Sequence, residues 1–260
     1  MNLKQKLDYH YAAFDKSQIS PDPLQFLHLF SIEHDIEAIG IIASVFAYGN
    51  VRQIINTLNK ILTAAGNKPY EFIKNFHKKN LAYKLKDIKH RFYTEKDIAL
   101  FFSLLNELYE EFGSLKNVFM SFYSPLDENI KNSMSGFSNE FIIRAEDKSL
   151  KHKVSQGVKF MFTRPEQGSA CKRMNLFLRW MVRKDELDFG IWNEIPAGKL
   201  IIPVDTHVAR ICRMLKLTEK KNVSWAMAEE ITNNLRKFNP SDPVKYDFAI
   251  CHIGMRKLSF

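Results

Sequence analysis

Apolar positions recur every three or four residues along nearly the whole chain, and that period predicts helices. The run from Asp35 to Tyr48 is strongly apolar and stops at Gly49, as a buried helix would. Val51, Ile54, Ile55, Leu58, Ile61 and Leu62 mark one face of the next helix, which ends at Gly66. Glycine tolerates the left-handed conformation that closes a helix. Pro69 suits the first turn of a short helix carrying Phe72, Ile73 and Phe76. From Glu95, the set Ile98, Phe101, Phe102, Leu105, Leu108, Tyr109 and Phe112 predicts a long amphipathic helix closed by Gly113. Ser114 then opens another through Val118, Phe119 and Phe122.

Residues 124–136 read as a connection, followed by helices at about 137–146 and 150–162. Arg164-Pro-Glu-Gln-Gly-Ser is a break. A helix from about Ala170 to Arg183 follows, with Cys171, Met174, Phe177, Leu178 and Met181 on one face and Lys172, Leu176, Arg179 and Arg183 on another. Asp188 to Lys199, with Gly190, Pro196 and Gly198, is irregular. The remaining helices fall behind Asp205, from Ser224 to Phe238, and from Pro243 to about Met255. Ile201-Ile202 is the only short strand-like run, and no internal repeat or low-complexity segment interrupts the pattern. The class is all-α.

With 260 residues, 45% of them hydrophobic, the chain suffices for one large domain or two small lobes. No stretch has the length and apolarity of a membrane span, and the opening Met1-Asn-Leu-Lys-Gln-Lys lacks the apolar run of a signal peptide. Cys171, Cys212 and Cys251 lie far apart, which fits a reducing cytoplasm better than a disulfide scaffold.

Charge adds a partner to this picture. The net charge is +9 and uneven. Residues 60–96 carry ten Lys/Arg against Glu71, Asp87 and Glu95, and residues 144–184 carry eleven against Glu146, Asp147 and Glu166. Between them, residues 98–143 hold two lysines against six acids. Two basic segments flanking an acidic one suggest a polyanion-binding face, nucleic acid first. Ordinary solubility accounts for the charge equally well.

The segment richest in chemistry is Leu200-Ile-Ile-Pro-Val-Asp-Thr-His-Val-Ala-Arg-Ile-Cys-Arg213. Asp205 stands where a helix begins, and its carboxylate should accept from the free amides of the first turn. A carboxylate anchored in that way suits a catalytic base or a stabiliser of positive charge, although capping alone also explains it. His207, Cys212, Cys251 and His252 lack zinc-finger spacing. Trp180, Trp192 and Trp225 read as core, with base stacking the alternative. Gln53, Tyr48 and the trio His90-Arg91-Phe92 are pocket or wedge candidates that no spacing argument raises above the rest.

Pro203-Val-Asp-Thr-His-Val-Ala-Arg-Ile211 resembles the catalytic segment of the helix-hairpin-helix DNA glycosylases, the superfamily of endonuclease III and 8-oxoguanine glycosylase. Val204, Asp205, Thr206, His207 and Arg210 fall on matching positions, and the resemblance extends over roughly residues 165–255. The whole chain looks like a bacterial branch marked by Lys172-Arg-Met-Asn-Leu-Phe-Leu-Arg-Trp-Met181. Two features depart from the superfamily. Its hairpin usually reads Leu-Pro-Gly-Val-Gly with a catalytic lysine about eighteen residues before the aspartate, a spacing that lands here near Leu187 with no such glycine pair. The nearest substitute is Gly168-Ser-Ala-Cys-Lys172-Arg173, with Lys172 standing 33 residues before Asp205, a spacing similar to the archaeal 8-oxoguanine glycosylase branch. The four closely spaced cysteines of an iron–sulfur cluster are also missing.

The resemblance implies a bilobal, all-α glycosylase-like fold with a degenerate helix-hairpin-helix. One lobe would span about residues 33–185 and the other about 1–32 plus 195–260. A flipped base would sit in the cleft between them, with Lys172 on one side and Asp205 on the other. Arg173, Arg179, Arg183, His207 and Arg210 would contact DNA, and no cofactor or metal is expected. The implied activity is excision of a damaged base from double-stranded DNA, 8-oxoguanine first, with strand cleavage if Lys172 is the nucleophile. The protein would be a monomer in the cytoplasm, associated with the nucleoid. A non-catalytic nucleic-acid-binding protein and an enzyme acting on RNA remain as alternatives.

Overall fold

The computed structural model describes residues 1–13, 15–148 and 154–256, with side chains as far as Cys251. Among them run twelve α-helices: α1 (Leu3–Ala12), α2 (Glu33–Phe46), α3 (Val51–Ala64), α4 (Pro69–Lys74), α5 (Glu95–Phe112), α6 (Leu115–Met120), α7 (Lys131–Lys148), α8 (Gln156–Met161), α9 (Lys172–Val182), α10 (Thr206–Met214), α11 (Trp225–Arg236) and α12 (Asp247–Arg256). The class is all-α, the only β features among the described residues being the isolated bridges His90–Tyr93 and Lys184–Phe189. Ile201-Ile202 joins no strand; the Ile202 N–H donates to Thr232 Oγ1 at 3.0 Å. Among the described residues no helix is long and apolar enough to cross a membrane.

Most predicted helices end within a residue or two of their expected limits, but α7 starts well inside the expected connection. Ser133, Ser135 and Gly136 read as loop composition, yet both serines are buried. A Cβ at Gly136 would run into the Phe122 ring. Small residues there mark close packing of a helix. The helix expected at 150–162 is observed as α8 alone, and residues 149–153 lie outside the described residues. Sequence periodicity misses α1, which buries only Leu7 and starts with a reciprocal capping box between Asn2 and Gln5.

The chain divides into two compact units. The central unit is Ser20–Pro125 with Asn132–Thr163, and the terminal unit is Met1–Ile19, Leu126–Lys131 and Arg164–Phe260. These boundaries differ from the expected lobes: residues 20–32 join the central unit and α9 the terminal one. The turn Pro23–Leu29 packs on α2, while α9 is tied by ion pairs to residues 185–188, 242 and 247.

The core of the central unit is aromatic. Phe46, Phe101 and Phe102 have no exposed surface, and Phe141 stacks on Phe162 with centroids 4.0 Å apart. Buried carboxylates here serve helix ends. Glu37 accepts from the Leu115 N–H at 2.9 Å and caps α6. Asp97 completes a capping box with Thr94 at the start of α5 and accepts from the Ser155 hydroxyl. In the terminal unit α10 and α1 both pack on α12, and Tyr246 donates to Asp8 on α1 at 2.8 Å.

Candidate active site

Pro203 and Val204 are buried, and they lead to Asp205 at the start of α10. The Asp205 backbone is extended, as an N-cap requires, and Oδ1 accepts from the His207 and Val208 N–H groups at 2.9 Å each. The other carboxylate oxygen faces a different partner. Lys172 Nζ lies 2.9 Å from Asp205 Oδ2, with about a third of each side chain exposed. Lys172 is the first residue of α9, and Cys171 before it takes a left-handed φ of 48°. The chain thus turns sharply into α9, and residues 33 apart in sequence meet within one unit. The expected placement of the two on opposite sides of an interlobe cleft does not hold, because α9 and α10 share the terminal unit.

Burial by itself would raise the Asp205 carboxyl. The Lys172 ammonium and the N–H groups of Val208 and His207 outweigh it and hold the pKa below the ordinary carboxylate value. Asp205 is therefore anionic at neutral pH, fixed through one oxygen and engaged with an amine through the other. Such a pair can stabilise a developing cation, or receive a proton from the amine as it becomes a nucleophile.

Other expected site residues are placed differently. Arg173, Arg179 and Arg183 are 7%, 3% and 3% exposed, so none is positioned to read phosphates. Arg179 grips Asp188 through Nε and Nη2 at 3.0–3.2 Å and Asp247 through Nη1 at 2.5 Å. Arg183 pairs with Asp188, with Asp185 at 2.9 Å and with Asp242 at 2.9 Å. The DNA-contact role expected for these three arginines is thus corrected. Arg179 and Arg183 pair with four carboxylates, of which Asp188 and Asp247 are buried, a structural task suited to the guanidinium fork. The signal was present in the sequence as Arg179 and Arg183 one helical turn apart, but their acidic partners lie up to 68 residues away.

His207 faces inward enough for Nε2 to lie 3.3 Å from the Cys251 carbonyl oxygen, linking α10 to α12. Arg210, one turn further on, is exposed. Trp180, Trp192 and Trp225 are at most 3% exposed and belong to the core. Cys212 is buried, which pushes its thiol well up. Among the described residues no three His, Cys, Asp or Glu side chains group as metal ligands, and the His252 side chain lies outside those residues.

In the central unit, Gln53, His90, Arg91 and Phe92 share a cavity of about 600 Å³, separate from the Lys172–Asp205 pair. Tyr48 donates to the His90 carbonyl at 3.0 Å.

A family model described as Protein of unknown function (DUF2400) matches residues 22–256. No curated protein and no solved structure matches the chain.

Proposed function

The chain belongs to the DUF2400 family, and from that premise and the site geometry we propose that it is a DNA N-glycosylase acting through Lys172 and Asp205. The observation carrying the proposal is the 2.9 Å approach of Lys172 Nζ to Asp205 Oδ2 at a helix start, partly open to solvent. The sequence around Asp205 and the 33-residue spacing support it independently, by resemblance to the archaeal 8-oxoguanine glycosylase branch.

A base stacked in a duplex is out of reach, so the damaged nucleotide must first swing out of the helix. As the glycosidic bond stretches, positive charge develops on the sugar, and the fixed anion of Asp205 stabilises it. The Lys172 ammonium gives up its proton, to Asp205 or onward to solvent. The free amine attacks C1′, forming the C1′–N bond, while the glycosidic electron pair leaves with the base, which takes up a proton. Opening of the sugar ring gives a Schiff base, from which β-elimination cuts the strand. If water attacks in place of Lys172, the product is an abasic site in an intact strand. The first lesion to test is 8-oxoguanine, and the protein would work as a monomer on chromosomal DNA in the cytoplasm.

The test is a set of duplexes carrying defined lesions, incubated with protein and borohydride. A covalent adduct on one lesion duplex, absent in Lys172→Gln, is expected. Base release without an adduct would make the enzyme a simple hydrolase. Neither adduct nor release on any lesion, in a protein that binds DNA, would leave a non-catalytic nucleic-acid-binding protein.

A further inference from the structure

Three residues of the segment before α5 are anchored in the core of the central unit. Leu85, Ile88 and His90 are buried, whereas Lys84, Lys86, Lys89 and Arg91 between them are exposed. His90 is held on both ring nitrogens, Nδ1 lying 3.0 Å from Thr57 Oγ1 on α3 and Nε2 3.1 Å from the Tyr48 carbonyl. His90 and Tyr93 also bridge to each other, which places Arg91 and Phe92 at the tip of a two-residue turn.

Arg91 sits in the left-handed region at φ 55°, where glycine or asparagine is usual. Its side chain packs where a Cβ on Gly49 would stand 2.7 Å away, and its guanidinium lies 5.5 Å from the Tyr48 ring centre. Phe92 beside it is 49% exposed.

The segment runs antiparallel to α3 and leaves a trough. One cavity, of about 600 Å³, lies between Gln53 and Asn56 on α3 and Lys89, Arg91 and Phe92. A second, of about 460 Å³, lies one turn on, between Asn59, Lys60 and Thr63 and the pair Lys84 and Lys86. Gln53, Asn56, Asn59, Lys60 and Thr63, all exposed, form one polar stripe on α3, about 15 Å long at the helical rise. Five cations line the trough against Asp87 alone. Among the described residues Lys60, Lys84 and Lys86 have no ion-pair partner, and Lys89 reaches Glu95 at 3.6 Å.

We propose that this trough is a nucleic-acid-binding surface, taking the phosphates of one strand on Lys60, Lys84, Lys86, Lys89 and Arg91, with Phe92 offering a ring face to a base. Its length matches about four nucleotide steps at 3.4 Å each. The amides of Gln53, Asn56 and Asn59 supply donors and acceptors suited to sugars and base edges. A concave trough also fits one strand better than a flat bilayer surface. The proposal deepens the glycosylase reading by naming the surface that holds the polyanion, but it does not depend on any chemistry at Lys172.

Anisotropy of a fluorescein-labelled oligonucleotide duplex, titrated with full-length protein across salt concentrations, tests it. In the triple variant Lys84→Gln, Lys86→Gln, Lys89→Gln the slope of log affinity against log salt should fall by about 0.9 for each phosphate no longer neutralised. Lys172→Gln, measured in parallel, should keep a slope within about one unit of wild type. Lys84, Lys86 and Lys89 lie at the surface, and an unchanged melting temperature checks that each variant folds. A wild-type slope in the folded triple variant overturns the trough. So does binding of the wild type to phosphatidylserine vesicles with none to DNA. Borohydride trapping and base release on lesion-containing duplexes separate the two readings: a lowered slope with neither adduct nor base release keeps the trough and removes the glycosylase, and a wild-type slope with either of them keeps the glycosylase alone.

Discussion

Asp205 makes two kinds of interaction that substitutions can separate. Asp205→Asn keeps an oxygen for the His207 and Val208 N–H groups but loses the charge facing Lys172. Asp205→Ala loses both and should cost about 1 kcal/mol or more of stability. Asn should therefore melt near wild type and release no base; wild-type excision by Asp205→Asn would reduce the residue to a helix cap. The depressed pKa gives a second readout. Stabilisation from Asp205 is present above the unfolded carboxylate value of 3.8 and is lost as pH falls through the lower folded value. Urea unfolding at pH 6 and pH 3 should show a smaller acid loss in Asp205→Asn than in wild type. An effect independent of the Lys172–Asp205 pair is expected at Gly157. A Cβ there would meet the Asp97 carboxylate at 2.6 Å, so Gly157→Ala should destabilise by about 1–3 kcal/mol, read by denaturant midpoint.

Individual helices are held by different forces, and their sensitivities differ accordingly. The α9 helix is fixed to the terminal unit by Arg179 and Arg183 among Asp185, Asp188, Asp242 and Asp247. Arg183→Met leaves Asp188, whose side chain has no exposed surface, short of a partner. The expected loss is about 3–5 kcal/mol by chemical denaturation. The exposed pair Lys78–Glu110 should be worth under about 1 kcal/mol by the same measurement. The attachment of α1 is acid-sensitive. Burial would raise Asp8, but Lys4, Lys245 and the Tyr246 hydroxyl bring it down to about 2. The contribution is present above 3.8 and is lost as pH falls through about 2, so amide exchange in α1 should accelerate over that range before it does in α5. Equal acceleration in both helices would show that Asp8 does not anchor α1 separately.

Across the molecule, the cations of the two basic segments differ in how they are engaged. In 144–184, Arg144 is held by Glu111 and Glu140, Lys148 by Glu107, Lys172 by Asp205, and Arg173, Arg179 and Arg183 are buried. In 60–96, Lys60, Lys84, Lys86, Lys89 and Arg91 face solvent along one trough. Salt-dependent binding to DNA should therefore be set by the 60–96 segment. A folded variant carrying Arg144→Gln and Lys148→Gln should keep the wild-type salt slope. A slope lowered by about two units would return the polyanion face to the 144–184 segment.

The sequence by itself determined the all-α class, most helix limits and the cap role of Asp205, because periodicity, glycine stops and N-cap preference act within a few residues. It also singled out Lys172 and Asp205 through a motif and a spacing. Only the tertiary structure decided that they meet at 2.9 Å within one unit, since no local rule specifies how a chain returns after 33 residues. Arg179 and Arg183 show the limit most clearly. A basic helix stripe looks the same in sequence whether it faces phosphates or carboxylates, and here the carboxylates come from distant turns. The trough was legible only as a charge count over 60–96 and an unranked trio at His90. Its shape depends on Leu85, Ile88 and His90 reaching the core together, and that registration of distant side chains is a property of packing.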